Sequence, residues 1–325
     1  MHKAIVILRK RPTIFILAGL FFYLLSDHVD ELRNFQGATA AVYLVAIASI
    51  VLLTGYSGQI SLGHGAIMAV GGYAAVLSQK YWHFNLLLTF VAAVLAAAIF
   101  GAILGFAAAR LSGPYLAGTT LALAVGLPSL ADQFHFLGGE QGLAYNVPQP
   151  PMSLGADFTQ YHWFFWITGS AALLMIWLTQ NILGSRYGRQ WRAMRSNPTA
   201  AALAGIHVGR SKVLAFTLSS GIAGLAGALM VLTLNLVTPS AFPLSLSFTI
   251  VTGAVLAGVG SLRGSIIGAV VLVAIPELSD SLATKLGGAE RVSANLPGLI
   301  TAVLLILTVL FFPEGPLRKR VKKTT

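Results

Sequence analysis

The chain has 325 residues, of which 56% are hydrophobic and only 10% charged, with a net charge of +11 and a mean hydropathy of +0.79. Soluble domains carry about 25% charged residues, so this composition cannot cover a water-facing surface and leaves an integral membrane protein. With no cysteine, disulfides, thiolate metal sites and a cysteine nucleophile are excluded.

A helix crosses a bilayer core in about 20 apolar residues. Charged residues divide the chain into long uncharged runs, the longest at 34–79 and 213–262. Pro239 and Pro243 split the second run, because proline removes a donor and ends a helix. In chain order the expected membrane segments are 12–27, 37–54, 63–79, 85–109, 115–131, 162–181, 213–236, 247–261, 264–277 and 295–312. The start resembles a signal peptide, with basic residues before an apolar stretch. No small-x-small cleavage pattern follows it, so an uncleaved first helix is expected.

Fifteen of the 21 basic residues fall in three clusters, at 3–11, 186–212 and 318–323. The positive-inside rule places all three in the cytoplasm. An even number of crossings follows, and ten fits. On that topology nine of the ten acidic residues lie outside. The expected organisation is a cytoplasmic N-terminus 1–11, one all-α transmembrane unit 12–312, a cytoplasmic loop 184–212 and a basic cytoplasmic tail 313–325. The longest outside loop, about 132–161, is placed to cap the bundle. Small residues recur every fourth position at Ala97, Gly101, Gly105 and Ala109, at Ser220, Gly224 and Ala228, and at Gly260, Gly264 and Gly268. This spacing lets helix backbones approach closely.

Catalytic and nucleotide-binding signatures are missing. No G-x-x-x-x-G-K-[ST], H-E-x-x-H or G-x-S-x-G occurs, and the seven histidines lack metal-ligand spacing. No enzyme activity, bound cofactor, metal or nucleic acid is expected. The spans lack the buried carboxylate that a proton- or sodium-coupled carrier often uses. A pump built this way draws its energy from another subunit. The competing expectation is a self-contained secondary carrier.

Two segments carry function. The first, Thr54-Gly55-Tyr56-Ser57-Gly58-Gln59-Ile60-Ser61-Leu62-Gly63-His64-Gly65-Ala66, interrupts an apolar run with glycines and small polar side chains. Irregular backbone at membrane depth is tolerated where protein or a water-filled cavity satisfies it, and transport sites often use broken helices. Two readings stand: a break lining the substrate path, with Tyr56, Ser57, Gln59, Ser61 and His64 as its polar groups, or an ordinary inner-side loop.

The second segment is 184–212. Arg189, Arg192 and Arg195 recur every third residue and form a basic stripe on one helix face. Asn197 and Pro198 are a helix start, cap then first position. Thr199 to Ala204, including Ala200 and Ala201, forms a short alanine-rich helix that Gly205 can end in a left-handed conformation. A capped, uncharged helix flanked by arginines suits docking on a cytoplasmic partner. Contact with anionic membrane lipid explains the arginines alone.

These residues also carry a family resemblance. Thr54 to Ala66 closely resembles the early motif of LivM-type permeases of branched-chain amino acid ABC importers. Gly188 to Ile206 is similar to that family's coupling loop. Leu214-Ala-Phe-Thr-Leu-Ser-Ser-Gly-Ile-Ala-Gly-Leu-Ala-Gly-Ala228 and Gly258-Val-Gly-Ser-Leu-Arg-Gly264 continue the match, in order, from about residue 40 to 312. The resemblance implies a vitamin-B12-importer-like ABC permease fold in a bacterial inner membrane. It implies a second permease of the LivH type, two ATP-binding subunits that use ATP on this chain's behalf, and an extracytoplasmic binding protein. Leucine, isoleucine or valine is the implied substrate, with urea, short amides or another small neutral solute as alternatives. The chain departs from the family at Ala202, commonly glutamate there, and at Pro198, often acidic. Docking at this helix is therefore by shape, not by a salt bridge from Ala202.

Overall fold

The computed structural model describes residues 26–111, 113–151, 158–285 and 290–311, with positions 15, 19, 20, 23 and 24. The expected ends 1–11 and 313–325 lie outside the described residues, as does most of the expected segment 12–27.

The described chain is almost entirely helical. α1 spans Glu31–Ile50 and runs on as a π-helical turn, Val51–Tyr56. It is followed by α2 (His64–Trp82), α3 (Leu86–Arg110), α4 (Pro114–Gln133), α5 (Gln160–Gly184), α6 (Arg186–Ser196), α7 (Pro198–Leu203), α8 (Val208–Leu234), α9 (Leu244–Leu256), α10 (Gly264–Lys285) and α11 (Glu290–Phe311). Among the described residues, six helical stretches are long and apolar enough to cross a membrane: Glu31–Tyr56, Leu86–Arg110, Pro114–Gln133, Gln160–Gly184, Val208–Leu234 and Pro239–Leu256. α2 occupies the expected 63–79 but is too polar to join them, with Ser78, Gln79 and Lys80 in its last turns.

Local chemistry sets the helix ends. Asn85 caps α3 by accepting from the Leu88 N–H at 3.0 Å. Pro114 opens α4, where a missing N–H costs nothing. The Lys212 ammonium lies 3.4 Å and 3.5 Å from the carbonyls of Ala108 and Leu111. It satisfies acceptors that the end of α3 leaves unpaired and complements the negative end of the helix dipole.

The centre of the bundle is built on small residues. Ala97, Gly101 and Gly105 lie on the buried face of α3. A β-carbon at Gly101 would collide with Ser220 of α8, and one at Gly224 with the side chain of Ala97. A β-carbon at Gly227 would collide with the carbonyl of Met68 on α2. The helices thus approach closely through small residues, as the four-residue spacing implied for the runs on α3 and α8, whereas a β-carbon at Gly260 in the third run meets no described atom within 4 Å. The opposite face of α3 exposes Leu87, Val91, Leu95, Ile99, Ile103 and Phe106. This is the pattern of a helix that packs through its small side and presents its bulky side to lipid or another subunit.

Part of the segment 132–161 forms a short strand. Leu143–Ala144 pairs antiparallel with Leu236–Val237, just beyond α8. Tyr145 is buried, and its hydroxyl lies 3.0 Å from that of Thr89. The Gln79 side chain donates to the Asn146 carbonyl at 2.7 Å and accepts from its N–H at 2.9 Å. This short β-pair had no sequence signature beyond isolated prolines and glycines.

Candidate functional site

The glycine-rich segment lies inside the protein. Ser57, Gln59, Ser61 and His64 are each at most 4% exposed. The helix leaves α geometry at Val51, and π-helical turns often accompany functional sites. Side chains then take over the backbone pairing. The Ser57 hydroxyl donates to the Leu53 carbonyl at 2.6 Å, and the Thr54 hydroxyl donates to that of Gln59 at 3.0 Å. The Gln59 amide donates to Ser57 Oγ at 2.9 Å and reaches toward the Lys212 carbonyl at 3.4 Å. Its oxygen is buried without a hydrogen-bond partner among the described residues.

His64 begins α2 and closes a second network. Its Nδ1 is 3.1 Å from Ser61 Oγ, and its Nε2 is 3.1 Å from Ser219 Oγ. The Ser219 hydroxyl donates its one proton to the Ser49 carbonyl at 2.8 Å. Nε2 must therefore carry a proton and donate, leaving Nδ1 to accept from Ser61. This assigns the neutral Nε2–H tautomer from the bonding pattern. His64 thus joins the break to α8 and α1.

Neighbouring helices complete the walls. The Leu62 N–H donates to Thr120 Oγ1 at 3.0 Å, and the Gly65 N–H to Ser247 Oγ at 2.9 Å. Gly55 lies against the carbonyl of Val259, in the turn between α9 and α10. That turn is Gly258-Val-Gly-Ser-Leu-Arg-Gly264, so two motifs far apart in sequence touch. Thr120, Ser247, Ser219 and Ser49 were missed as site residues by sequence reasoning. Their signal was present, since hydroxyls in apolar helices often bond across helices, but their partners depend on packing.

Among the five expected path residues, Ser57 and Gln59 are bonded together, as are Ser61 and His64. Tyr56 stands apart. It lines a cavity of about 330 Å³ with Gln180, Arg192, Ser261 and Arg263. Among the described residues, no group of three or more His, Cys, Asp or Glu side chains is arranged to hold a metal.

The second motif forms a helix pair. α6 is anchored by Trp191, which is fully buried and donates from Nε1 to the Ser211 carbonyl at 3.0 Å. Asn197 caps α7 by accepting from the Ala200 N–H at 3.0 Å, and Pro198 fills the first position. The helix covers Pro198–Leu203, one residue earlier at each end than the sequence suggests. Gly205, at φ +83°, terminates it, and the Ile206 N–H returns to the Ala201 carbonyl at 3.0 Å.

Placement of the expected docking residues is uneven. Ala200, Ala202 and Leu203 are exposed, Leu203 by 87%, whereas Ala201 is 4% exposed and turns into the chain's own packing. Arg189 bonds locally, at 3.4 Å to the Gly184 carbonyl. Arg192 lies over the Tyr56 ring at 5.7 Å, and Arg195 donates to the Gly55 carbonyl. The arginine stripe therefore faces the glycine-rich break as well as solvent.

A family model described as "Branched-chain amino acid transport system / permease component" matches residues 34–309. The high-affinity branched-chain amino acid transport permease LivM of Escherichia coli K12 is 29% identical over 298 residues, covering 84% of this chain and 67% of that protein. LivH of the same organism is 27% identical over 309 residues, covering 90% and 96%. The solved PsaBC complex of Streptococcus pneumoniae with Fab aligns over 91% of this chain and 96% of its own, at 16% identity and a TM-score of 0.43. With the family model spanning both motifs and most of the helical bundle, this chain belongs to the permease components of branched-chain amino acid transport systems.

Proposed function

We propose that this chain is the translocating subunit of an ATP-driven importer for leucine, isoleucine and valine. In this reading it crosses the bacterial cytoplasmic membrane ten times in a vitamin-B12-importer-like arrangement, with both termini in the cytoplasm. A LivH-type permease completes the channel, two ATP-binding subunits supply energy, and an extracytoplasmic binding protein delivers substrate. The whole of 12–312 acts as one permease unit, and 184–212 is its coupling loop.

The observation that carries this reading is α7. A six-residue helix is too short to stand by itself in water. Here it is capped at both ends, by Asn197 at its start and by the Ile206 N–H on the Ala201 carbonyl at its end, and it rests against α8. It nevertheless presents Leu203 almost fully to solvent. An apolar knob on a preformed, uncharged helix fits a groove on a soluble partner, and ATP binding in that partner would move it. The spans on either side, α5 and α8, would tilt with it.

The test is Leu203→Glu in the full chain, expressed with the transporter genes beside its own. Expected is loss of the co-purifying ATP-binding subunit and at least tenfold slower leucine uptake, with the chain still in the membrane. Retention of both would refute docking through α7. Uptake of urea but not leucine by the unaltered complex would overturn the substrate assignment alone.

A further inference from the structure

The importer reading leaves one question open: what connects the docking helices to the broken helix. Backbone chemistry makes the need concrete. Where α1 ends, the carbonyls of its last turn lose their helical donors. The Leu52 and Leu53 carbonyls are taken by the N–H groups of Ser57 and Gln59. The Gly55 carbonyl instead receives the guanidinium of Arg195, from 140 residues further along the chain.

Several contacts repeat this connection. A β-carbon at Gly58 would come within 2.9 Å of Arg195 Cγ, so the arginine stem lies directly on the backbone of the break. Gly58 holds φ +73°, which a glycine adopts freely. One turn earlier on α6, Arg192 covers Tyr56. The Gln59 amide points at the carbonyl of Lys212 at the start of α8, beside Ser211, which holds Trp191. α6 is thus fixed to α8 by one face and to the break by another, while α7 follows directly after Asn197.

We infer that Arg195 is a positioning residue that ties the docking pair α6–α7 to the break 55–59, so that the two move as one piece when α7 is displaced. This rests on the importer reading. The bond spans the junction between the cytoplasmic helices and the first buried polar residues, Ser57 and Gln59. A displacement of α7 therefore reaches them without passing through the length of a membrane helix.

The test uses the complete importer in lipid nanodiscs with its binding protein. Arg195→Met keeps the stem against Gly58 and removes the donor. Expected is continued co-purification of the ATP-binding subunits, and at least a fivefold fall in the ratio of substrate-stimulated to unstimulated ATP hydrolysis. Arg195→Lys, which restores a cationic donor, recovers at least half of that ratio. Normal stimulation in Arg195→Met overturns the linkage, and so does loss of the ATP-binding subunits, which would make Arg195 a docking residue. A failure of Arg195→Lys to recover does the same.

A second measurement does not depend on how well these variants fold. The native chain has no cysteine, so Ile60→Cys and Ser196→Cys, both at exposed positions, can be joined by a short cleavable thiol cross-linker. If break and docking pair travel together, hydrolysis and uptake after cross-linking match those of the same protein before it. Inhibition that reverses on cleavage shows relative movement and overturns the proposal. Absence of any ATP-binding subunit with the unaltered chain overturns the importer reading and the linkage together.

Discussion

The packing of α2 against α8 can be tested with one chemical change made at two places. At Gly227 an added β-carbon meets the Met68 carbonyl, and at Gly118 it meets nothing within 4 Å. The Met68 oxygen is backbone within α2, so it cannot rotate aside. Overpacking of this kind costs about 1–3 kcal/mol, and a backbone neighbour that cannot move aside puts Gly227→Ala near 3. On α4, Gly118 is exposed, and Gly118→Ala gains about 0.5–1 kcal/mol from the stiffer unfolded chain and better helix propensity. The two variants should therefore differ by roughly 4 kcal/mol, close to a thousandfold in the folded-to-unfolded ratio, because 1.4 kcal/mol is tenfold. Unfolding in mixed micelles titrated with sodium dodecyl sulfate, followed by tryptophan fluorescence, measures both under one condition. Gly118→Ala should unfold at or above the native midpoint and Gly227→Ala well below it. Coincident midpoints would refute backbone contact between α2 and α8, and with it the way His64 is held against Ser219.

Two further substitutions address the site itself. His64→Phe keeps most of the ring volume but leaves the Ser61 hydroxyl buried without an acceptor. Ser219 keeps its bond to Ser49. The variant should be destabilised by about 2 kcal/mol in the same titration, the usual cost of one unsatisfied buried group, and an unchanged midpoint would contradict the tautomer assignment. Asn197→Ala removes the cap bond to the Ala200 N–H and should cost α7 about 1 kcal/mol. Faster amide exchange at Ala200 and Ala201 in hydrogen–deuterium exchange would register it, and Asn197→Asp should restore protection.

Much of this protein is legible from its residues one at a time or at short spacing. Low charge and long apolar runs are enough to place the chain in a bilayer, because an unpaired charge there is expensive wherever it sits. The start and end of α7 are readable because capping is a local matter between Asn197, Pro198 and Gly205. The fourfold spacing of Ala97, Gly101 and Gly105 marks the packing side of α3, since helix periodicity puts them on one face. Membrane crossing by length and apolarity was less readable at α2, whose polar last turns bond Asn146 through Gln79.

What the residues could not reveal is which distant groups satisfy one another. The break at Thr54–Ala66 reads equally well as a loop or as part of a path, because its burial comes from α4, α6, α8 and α9 around it. Ala200 and Ala201 look alike in the sequence, yet one faces solvent and the other the protein, a distinction set by tertiary packing. Arg195 is one of a regular series, and nothing local singles it out. Its bond to Gly55 exists because tertiary packing brings the end of α6 to the point where α1 runs out of its own donors. Local chemistry thus determined the helices and their caps, and the third dimension decided which unpaired backbone groups they would complete.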